Sequence, residues 1–480
     1  MQTTLARAVA TKSFVFKKYD IRGIIDQELF IDDIYRITQA IAIYFKQQNP
    51  TLTTLIVGMD GRIHSPEIKK QVCTSLQDLG INVIFIGTCP TPVFYYANQI
   101  LDAAGGIMIT ASHNPKEYNG LKLVLNKINV FDQAIVTIKE LFFSNQNFSC
   151  TQEPGSYQEQ DVISPYINFL ETQFLALKNN PITAVIDCAN GATATVVPEL
   201  IRHMGWKNIT LINSTVDGNF PAHEANPTID ENIKELQESI KNRADCVGIG
   251  FDGDGDRMVA VTEAGIPIRG DECYTLIGQA LAQEHGPFSM VVDIKCANAL
   301  LGSLRALGIT CYFAPCGIGF VRQEMRKRNA LFGGELSCHF CFNDRYFGYD
   351  DGIYAMMRIF ELIITKSTTL HARYEQLPTR YFSPELRISC AQEHKWDIIA
   401  SIKNQISSYP DSTLITVDGV RLETPKGCAT LRASNTEPLL SLRIEGTNQE
   451  NLDTLMQEFY TLLIPHVDHT ILAKTMNIKI

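Results

Sequence analysis

Short apolar runs alternate with amphipathic stretches through most of the chain. Leu55–Gly58, Ile81–Ile86, Ala184–Asp187, Cys246–Phe251, Met258–Val261 and Met290–Asp293 read as strands. Between them, Asp32–Lys46 places Ile34, Ile37, Ile41 and Phe45 at helical spacing, and 66–79, 194–204 and 297–307 have the same character. Residues 14–24 predict a short strand running into a basic turn. Strand and helix in alternation predict mostly parallel α/β sheets, in three successive units without a detectable repeat. Hydrophilic stretches near 144–163 and 263–271 mark plausible boundaries. Toward the C-terminus the pattern changes. Leu414–Val417, Gly419–Leu422, Ala429–Arg432 and Leu439–Glu445 read as strands and 449–463 as a helix, which predicts a separate α+β domain.

A length of 480 residues exceeds one ordinary core and calls for about two to four domains. Hydrophobic content of 45% and charged content of 20% are those of a globular chain. A net charge of −10 argues against nucleic acid or an anionic membrane as the main partner. No apolar run approaches the ~20 residues of a membrane span, and the first ten residues lack a signal-type apolar core. The 13 cysteines are scattered and odd in number, which predicts free thiols in a reducing cytoplasm.

Four loops carry candidate chemistry. Gly105-Gly106-Ile107-Met108-Ile109 reads as a buried strand that breaks at Thr110-Ala111-Ser112-His113-Asn114-Pro115. Asn114 before a proline is held extended, so Ser112 sits where a strand ends and a stiff loop begins. Its hydroxyl suits a nucleophile or phosphoryl carrier with Lys122 ten residues on, although a plain polar turn explains the same residues. Phe251-Asp252-Gly253-Asp254-Gly255-Asp256-Arg257 is the strongest signal. Three clustered carboxylates repel one another unless a cation neutralises them, and a hard divalent metal is the natural partner. The same residues overlap a dinucleotide fingerprint, but a strand follows where a helix is required. They also overlap an EF-hand loop, but Arg257 stands at the glycine position. A metal-free Asp-Gly hairpin is the third alternative.

Glu335, Ser337 and His339 alternate along Gly334-Glu335-Leu336-Ser337-Cys338-His339. On an extended backbone all three point one way and could read sugar hydroxyls. Cys311, Cys316, Cys338 and Cys341 raise a zinc alternative. Arg432-Ala433-Ser434-Asn435-Thr436-Glu437-Pro438 packs a guanidinium, hydroxyls, an amide and backbone N–H groups into a phosphate nest, or forms a Ser-Asn-Thr turn.

Taken together, in this order, these motifs resemble the α-D-phosphohexomutase family. Tyr19-Asp20-Ile21-Arg22-Gly23 and Phe347-Gly348-Tyr349-Asp350-Asp351-Gly352 are most similar to its bacterial phosphomannomutase/phosphoglucomutase branch. The resemblance implies four domains around a central cleft: α/β units over 1–160, 161–266 and 267–378, and an α+β domain over 379–480. It implies that Ser112 is a phosphoserine, and that Asp252, Asp254 and Asp256 hold one Mg²⁺ together with it. Arg22, Lys122, Arg257 and His339 match residues near the reacting centre. Tyr19, Lys295, Glu335, Ser337 and His339 match substrate contacts, and Arg432, Ser434, Asn435 and Thr436 match the grip on the non-reacting phosphate.

The implied reaction is reversible phosphoryl transfer between C1 and C6 of a mannose or glucose phosphate. It would pass through a bisphosphorylated sugar and be activated by a sugar 1,6-bisphosphate. A metal-dependent sugar phosphatase and a phosphoglucosamine mutase are the alternatives. The expected partners are small hexose phosphates, with neither nucleic acid nor membrane, and a monomer or weak dimer is expected. Three residues depart from the family pattern: Cys338 stands where glycine is usual, Ile318 where the branch often has histidine, and Cys428 where tryptophan is frequent.

Overall fold

The apolar runs become central strands in a computed structural model of the chain, which describes residues 10–144, 153–241, 243–365, 368–391, 393–434 and 438–477. The chain divides into two compact units, Met1–Arg269 with Ser337–Tyr374, and Gly270–Leu336 with Glu375–Ile480.

The first unit holds two sheets. In one, Thr54–Met59 lies between Asn82–Thr88 and Gly105–Ile109, all parallel. Tyr118–Leu125 and then Ile21–Ile24 extend that sheet antiparallel. Gly105–Ile109 is buried along its whole length, as a strand covered on both faces must be. The helix Ile31–Gln48 turns Ile34, Ile37, Ile41 and Phe45 into the same core as Leu55, Val57 and Ile107. Each such fully buried side chain contributes about 1.5–3 kcal/mol. In the other sheet, Val247–Phe251 runs parallel to Thr183–Asp187 and antiparallel to Met258–Val261. Both sheets are therefore mixed, with antiparallel strands added to a parallel centre.

One element differs from its sequence pattern. Phe14–Phe16 does not extend a strand: Ser13–Val15 is a 3₁₀ turn with Val15 buried in the core, and the strand starts only at Ile21. The cause is a tight reversal in which Lys17 N–H donates to the Asp20 carbonyl and Phe16 bridges to Ile21. Tyr19 lies within that reversal.

In the second unit Ser289–Asp293 lies between Thr310–Ala314 and Phe332–Gly334, all parallel. The C-terminal sheet is antiparallel, with Leu439–Gly446 paired to Gly427–Ala433 on one side and to Leu386–Ser389 and Tyr381–Phe382 on the other. Helices Lys395–Ile406 and Gln449–Leu463 supply Ile402, Leu455 and Phe459 to its core. Among the described residues, no helix is long and apolar enough to cross a membrane.

Candidate active site

Two loops of the first unit meet. The Ser112 loop follows the C-terminal end of the parallel strand Gly105–Ile109, and the acidic loop is the turn between Val247–Phe251 and Met258–Val261. Ser112 is buried, with φ at 53° in the left-handed region. Its Oγ donates to Asp252 Oδ2 at 3.0 Å and lies 3.1 Å from His113 Nδ1. The alternation of Asp and Gly has a steric origin. A Cβ on Gly253 would stand 2.5 Å from the Ser112 carbonyl oxygen, and Gly255 has φ at 74° against Thr193. Any side chain at 253 would push the two loops apart.

Asp252, Asp254 and Asp256 are fully buried, with carboxylate oxygens within 4.8 Å of one another. Lys122 donates to Asp254 Oδ2 at 2.7 Å and also to Asp256. Burial alone would lower the Lys122 pKa, but these two carboxylates raise it well above the ordinary value, so it stays charged. Arg257 donates its backbone N–H to Asp252 Oδ1 at 3.1 Å, and its Nε lies 3.8 Å from Oδ2. Burial, with repulsion from Asp256 and Asp254, pushes Asp252 well above the usual carboxylate range. Asp256 is also buried, but Lys122, His339 and Arg257 outweigh that and hold it well below the range. Three carboxylates against two cations leave one negative charge in excess.

A divalent cation fits this set. Asp254 Oδ1 and Asp256 Oδ1 are buried oxygens that accept no hydrogen bond, and an all-oxygen donor set suits a hard cation. Among the described residues, the groups able to hold a metal contain no cysteine, and no disulfide forms. The zinc alternative gains no support.

His339 lies beside this cluster and bridges backbone to backbone with Arg257. Arg257 Nε donates to His339 Nε2 at 3.2 Å, and His339 Nδ1 lies 3.0 Å from Ser337 Oγ. Since a guanidinium only donates, the network assigns the ring proton to Nδ1. Asp256 Oδ1 also lies 3.4 Å from Nε2, ready to stabilise a proton arriving there. His113 is held neutral: burial, with the charges of Arg257 and Arg22, lowers its pKa well below the ordinary value. Arg22 pairs with Asp20 and donates to Asn114 Oδ1 at 2.6 Å.

The extended arrangement expected for Glu335, Ser337 and His339 is replaced by a turn at 336–338. Cys338, at φ 68°, breaks the alternation there. The chain also passes between units at this turn, so Glu335 belongs to the second and Ser337 and His339 to the first.

The second unit gathers the other candidates. Lys295 Nζ lies 3.3 Å from Glu385 Oε1, and Glu335 Oε1 accepts from Gly317 N–H at 2.6 Å. Arg432 Nε donates to Asp418 Oδ2 at 2.9 Å, which also accepts the Cys316 N–H at 3.1 Å. The Ser434 carbonyl accepts from buried Lys395 at 2.6 Å. Asn435 and Thr436 lie outside the described residues. Asp293 is pushed up to about 7 by burial, with Lys295 opposing and the charge of Glu335 adding to the rise. Cys428 is buried on the strand Gly427–Ala433, its Sγ 3.6 Å from Glu445 Oε2.

Several polar groups at these sites were not singled out from sequence. Thr91 Oγ1 donates to Asp254 Oδ2 at 2.6 Å, and its N–H donates to the Asp254 carbonyl at 2.8 Å. Glu385 and Lys395 stand beside the second-unit residues in the same way. Each comes from an unremarkable stretch far away in sequence. Asp20 and Asn114 lay within the quoted motifs, where nothing signalled their partnership with Arg22.

Four models of the phosphoglucomutase/phosphomannomutase family match in order: alpha/beta/alpha domains I, II and III at residues 13–148, 164–265 and 269–381, and the C-terminal domain at 385–462. A phosphomannomutase/phosphoglucomutase of Pseudomonas syringae is 33% identical over 449 residues, covering 94% of this chain and 95% of the relative. A phosphoglucomutase of Neisseria gonorrhoeae is 32% identical over 450 residues, covering 94% and 96%. The crystal structure of a phosphoglucomutase/phosphomannomutase family protein from Burkholderia thailandensis superposes with a TM-score of 0.87 at 29% identity, covering 94% of this chain and 97% of that one. Four domains in sequence and a shared fold along nearly the whole length lead to one assignment: the chain belongs to the phosphoglucomutase/phosphomannomutase family of α-D-phosphohexomutases.

Proposed function

We propose that this phosphohexomutase interconverts the 1- and 6-phosphates of glucose, mannose or both, with Ser112 as the phosphoryl carrier. The observation that carries the reading is the Ser112 hydroxyl 3.0 Å from Asp252 Oδ2, inside a buried cluster that also holds Lys122 and Arg257. Mg²⁺ is the proposed ion, held by Asp252, Asp254 and Asp256, and it would neutralise phosphate charge as a Lewis acid.

Phosphoryl transfer needs little covalent help from the protein beyond positioning and charge. Lys122 and Arg257 supply two cations for the transferring group. A sugar hydroxyl attacks the phosphorus of phospho-Ser112; the bond from phosphorus to the Ser112 oxygen breaks as the bond to the sugar oxygen forms. Once Arg257 Nε–H turns from His339 Nε2 to the phosphoryl oxygens, the freed Nε2 takes the hydroxyl proton, and Asp256 stabilises the resulting imidazolium. The product is a sugar bisphosphate. When it rebinds in the reverse orientation, its other phosphoryl group returns to Ser112 and the proton returns to the sugar oxygen.

In the second unit, Arg432 and Ser434 are proposed to hold the phosphate that is not reacting, while Lys295 and Glu335 read the ring. The resemblance adds Tyr19 and Ser337 as substrate contacts and Arg22 at the reacting centre, along with Asn435 and Thr436 at the remote phosphate. A sugar 1,6-bisphosphate would load Ser112 before the first turnover.

Assay of wild type and Ser112→Ala with glucose 1-phosphate and mannose 1-phosphate, Mg²⁺ and glucose 1,6-bisphosphate tests this. Wild type is expected to gain about 80 Da on loading, the mass of one phosphate group, and Ser112→Ala to gain none and lose turnover. Full activity in Ser112→Ala would sink the assignment, and free phosphate released as fast as substrate disappears would indicate hydrolysis instead.

A further inference from the structure

The loop that carries Ser112 is held from beneath by a side chain that lies outside the four chemical loops. Arg62 follows the strand Thr54–Met59 and is 1% exposed. Its Nη2 donates to the carbonyls of Ser112 and Asn114 at 2.8 and 2.6 Å, and its Nη1 to those of Pro115 and Tyr118 at 2.8 and 3.0 Å. Nε donates to Asp60 Oδ2 at 3.2 Å. All five N–H groups of the guanidinium thus have acceptors.

The guanidinium is itself fixed. Asp60 Oδ1 accepts from the Arg62 backbone N–H at 3.1 Å and from Ser65 Oγ at 2.9 Å, and Ser65 Oγ accepts from Asn119 at 3.0 Å. The ring of Phe220 lies 5.1 Å from the guanidinium carbon. The gathered carbonyls belong to the segment whose first residue holds φ at 53°. A backbone in that region turns back to a relaxed conformation unless its surroundings hold it there.

We infer that Arg62 is a positioning residue for phosphoryl transfer: by gathering four carbonyls of the Ser112 loop on one planar fork, it keeps the Ser112 hydroxyl facing Asp252. The inference rests on the reading of Ser112 as phosphoryl carrier. Lysine cannot replace the fork, since a single ammonium cannot present paired N–H groups to four separated carbonyls. Every N–H of the Arg62 guanidinium is taken by Asp60 or by the Ser112 loop, so its loss should fall on the chemical step.

The test uses the full chain with Mg²⁺, glucose 1-phosphate and glucose 1,6-bisphosphate, comparing wild type, Arg62→Ala and Arg62→Lys. Circular dichroism establishes that each is folded. We expect kcat to fall about a hundredfold in both variants at nearly unchanged KM, the scale of a misplacement of about 1 Å. Millimolar guanidinium should raise the kcat of Arg62→Ala by about tenfold, against equal sodium chloride, and leave wild type unchanged. Wild-type kcat in either folded variant would overturn the inference, as would a defect confined to KM or a failure of rescue in folded Arg62→Ala. If Arg62→Ala does not fold, Arg62→Lys alone decides by the same kcat criterion. Phosphorylation of Ser112 by the bisphosphate, followed by intact mass, separates this idea from the mutase reading. A wild type that loads but never turns over defeats the mutase reading only, whereas equal loading rates in wild type and variants defeat the role of Arg62.

Discussion

Thr91 reaches Asp254 across 163 residues of sequence, and its hydroxyl is fully buried against that carboxylate. A partner of this kind orients a metal-ligating oxygen without touching the metal, and its loss typically costs about 10–100-fold in affinity. Thr91→Val keeps the shape and removes the hydroxyl. The expected outcome is an apparent Mg²⁺ affinity weakened by about tenfold, with an unchanged KM for hexose phosphate, measured by titrating Mg²⁺ into the activity assay. The clustering of Asp252, Asp254 and Asp256 was legible in the sequence because that motif is local, whereas the approach of Ser112 across 140 residues was implied only by the family resemblance. Thr91 was not legible, because it lies in Pro90-Thr91-Pro92, where proline spacing predicts only a helix start. Long-range pairing assigned its hydroxyl. Cys338 shows the opposite limit: a non-glycine residue at φ 68° makes a turn where alternation alone predicts an extended strand.

The strand Thr183–Asp187 acts at its end as an anchor for the acidic loop. Asp187 Oδ1 accepts from Ala189 N–H at 2.8 Å, and His223 Nε2 lies 2.9 Å from Oδ2. Each segment then holds one side of Gly253: Ala192 N–H donates to its carbonyl at 2.8 Å, and its N–H donates to the Ala225 carbonyl at 3.2 Å. His223 Nδ1 lies 2.9 Å from the Glu224 carbonyl, so both ring nitrogens face acceptors and the imidazolium is favoured. Burial lowers the His223 pKa, but Asp187, the Glu224 carbonyl and the charge of Glu235 outweigh it and raise the value. A histidine raised on folding stabilises fully below its unfolded pKa of about 6.5, and that contribution is lost as pH rises through the folded pKa. His223→Gln should therefore be destabilised by about 1 kcal/mol at about pH 5.5 and by less at about pH 8.5, read from urea unfolding at the two pH values. A pH-independent difference would contradict the charged pair. At this scale the sequence was informative for the apolar runs that became central strands. Met258–Val261 has the bounds its pattern indicated. Phe14–Phe16 carries the same composition, yet the reversal at Lys17–Asp20 takes precedence over strand propensity.

The whole chain carries separate cores in its two units, one around Ile41, Leu55 and Ile107, the other around Ile402, Leu442 and Phe459. Chains built this way seldom unfold in one step. Differential scanning calorimetry is expected to show more than one transition. Because Asp252, Asp254 and Asp256 all belong to the first unit, Mg²⁺ should raise one transition by mass action and leave the other in place. A chelator should lower that transition without abolishing it. A single transition that moves as a whole would contradict two independent cores.

The bridge that Lys122 makes between Asp254 and Asp256 gives the acidic loop a counter-ion covalently attached to the chain. Part of the loop's charge is thereby balanced within the chain, so its folding should depend less on metal than that of small metallo-domains that stay unfolded until they are loaded. On the proposed function, scarcity of the ion would then leave a dormant but intact pool, which would return to work when supply recovers.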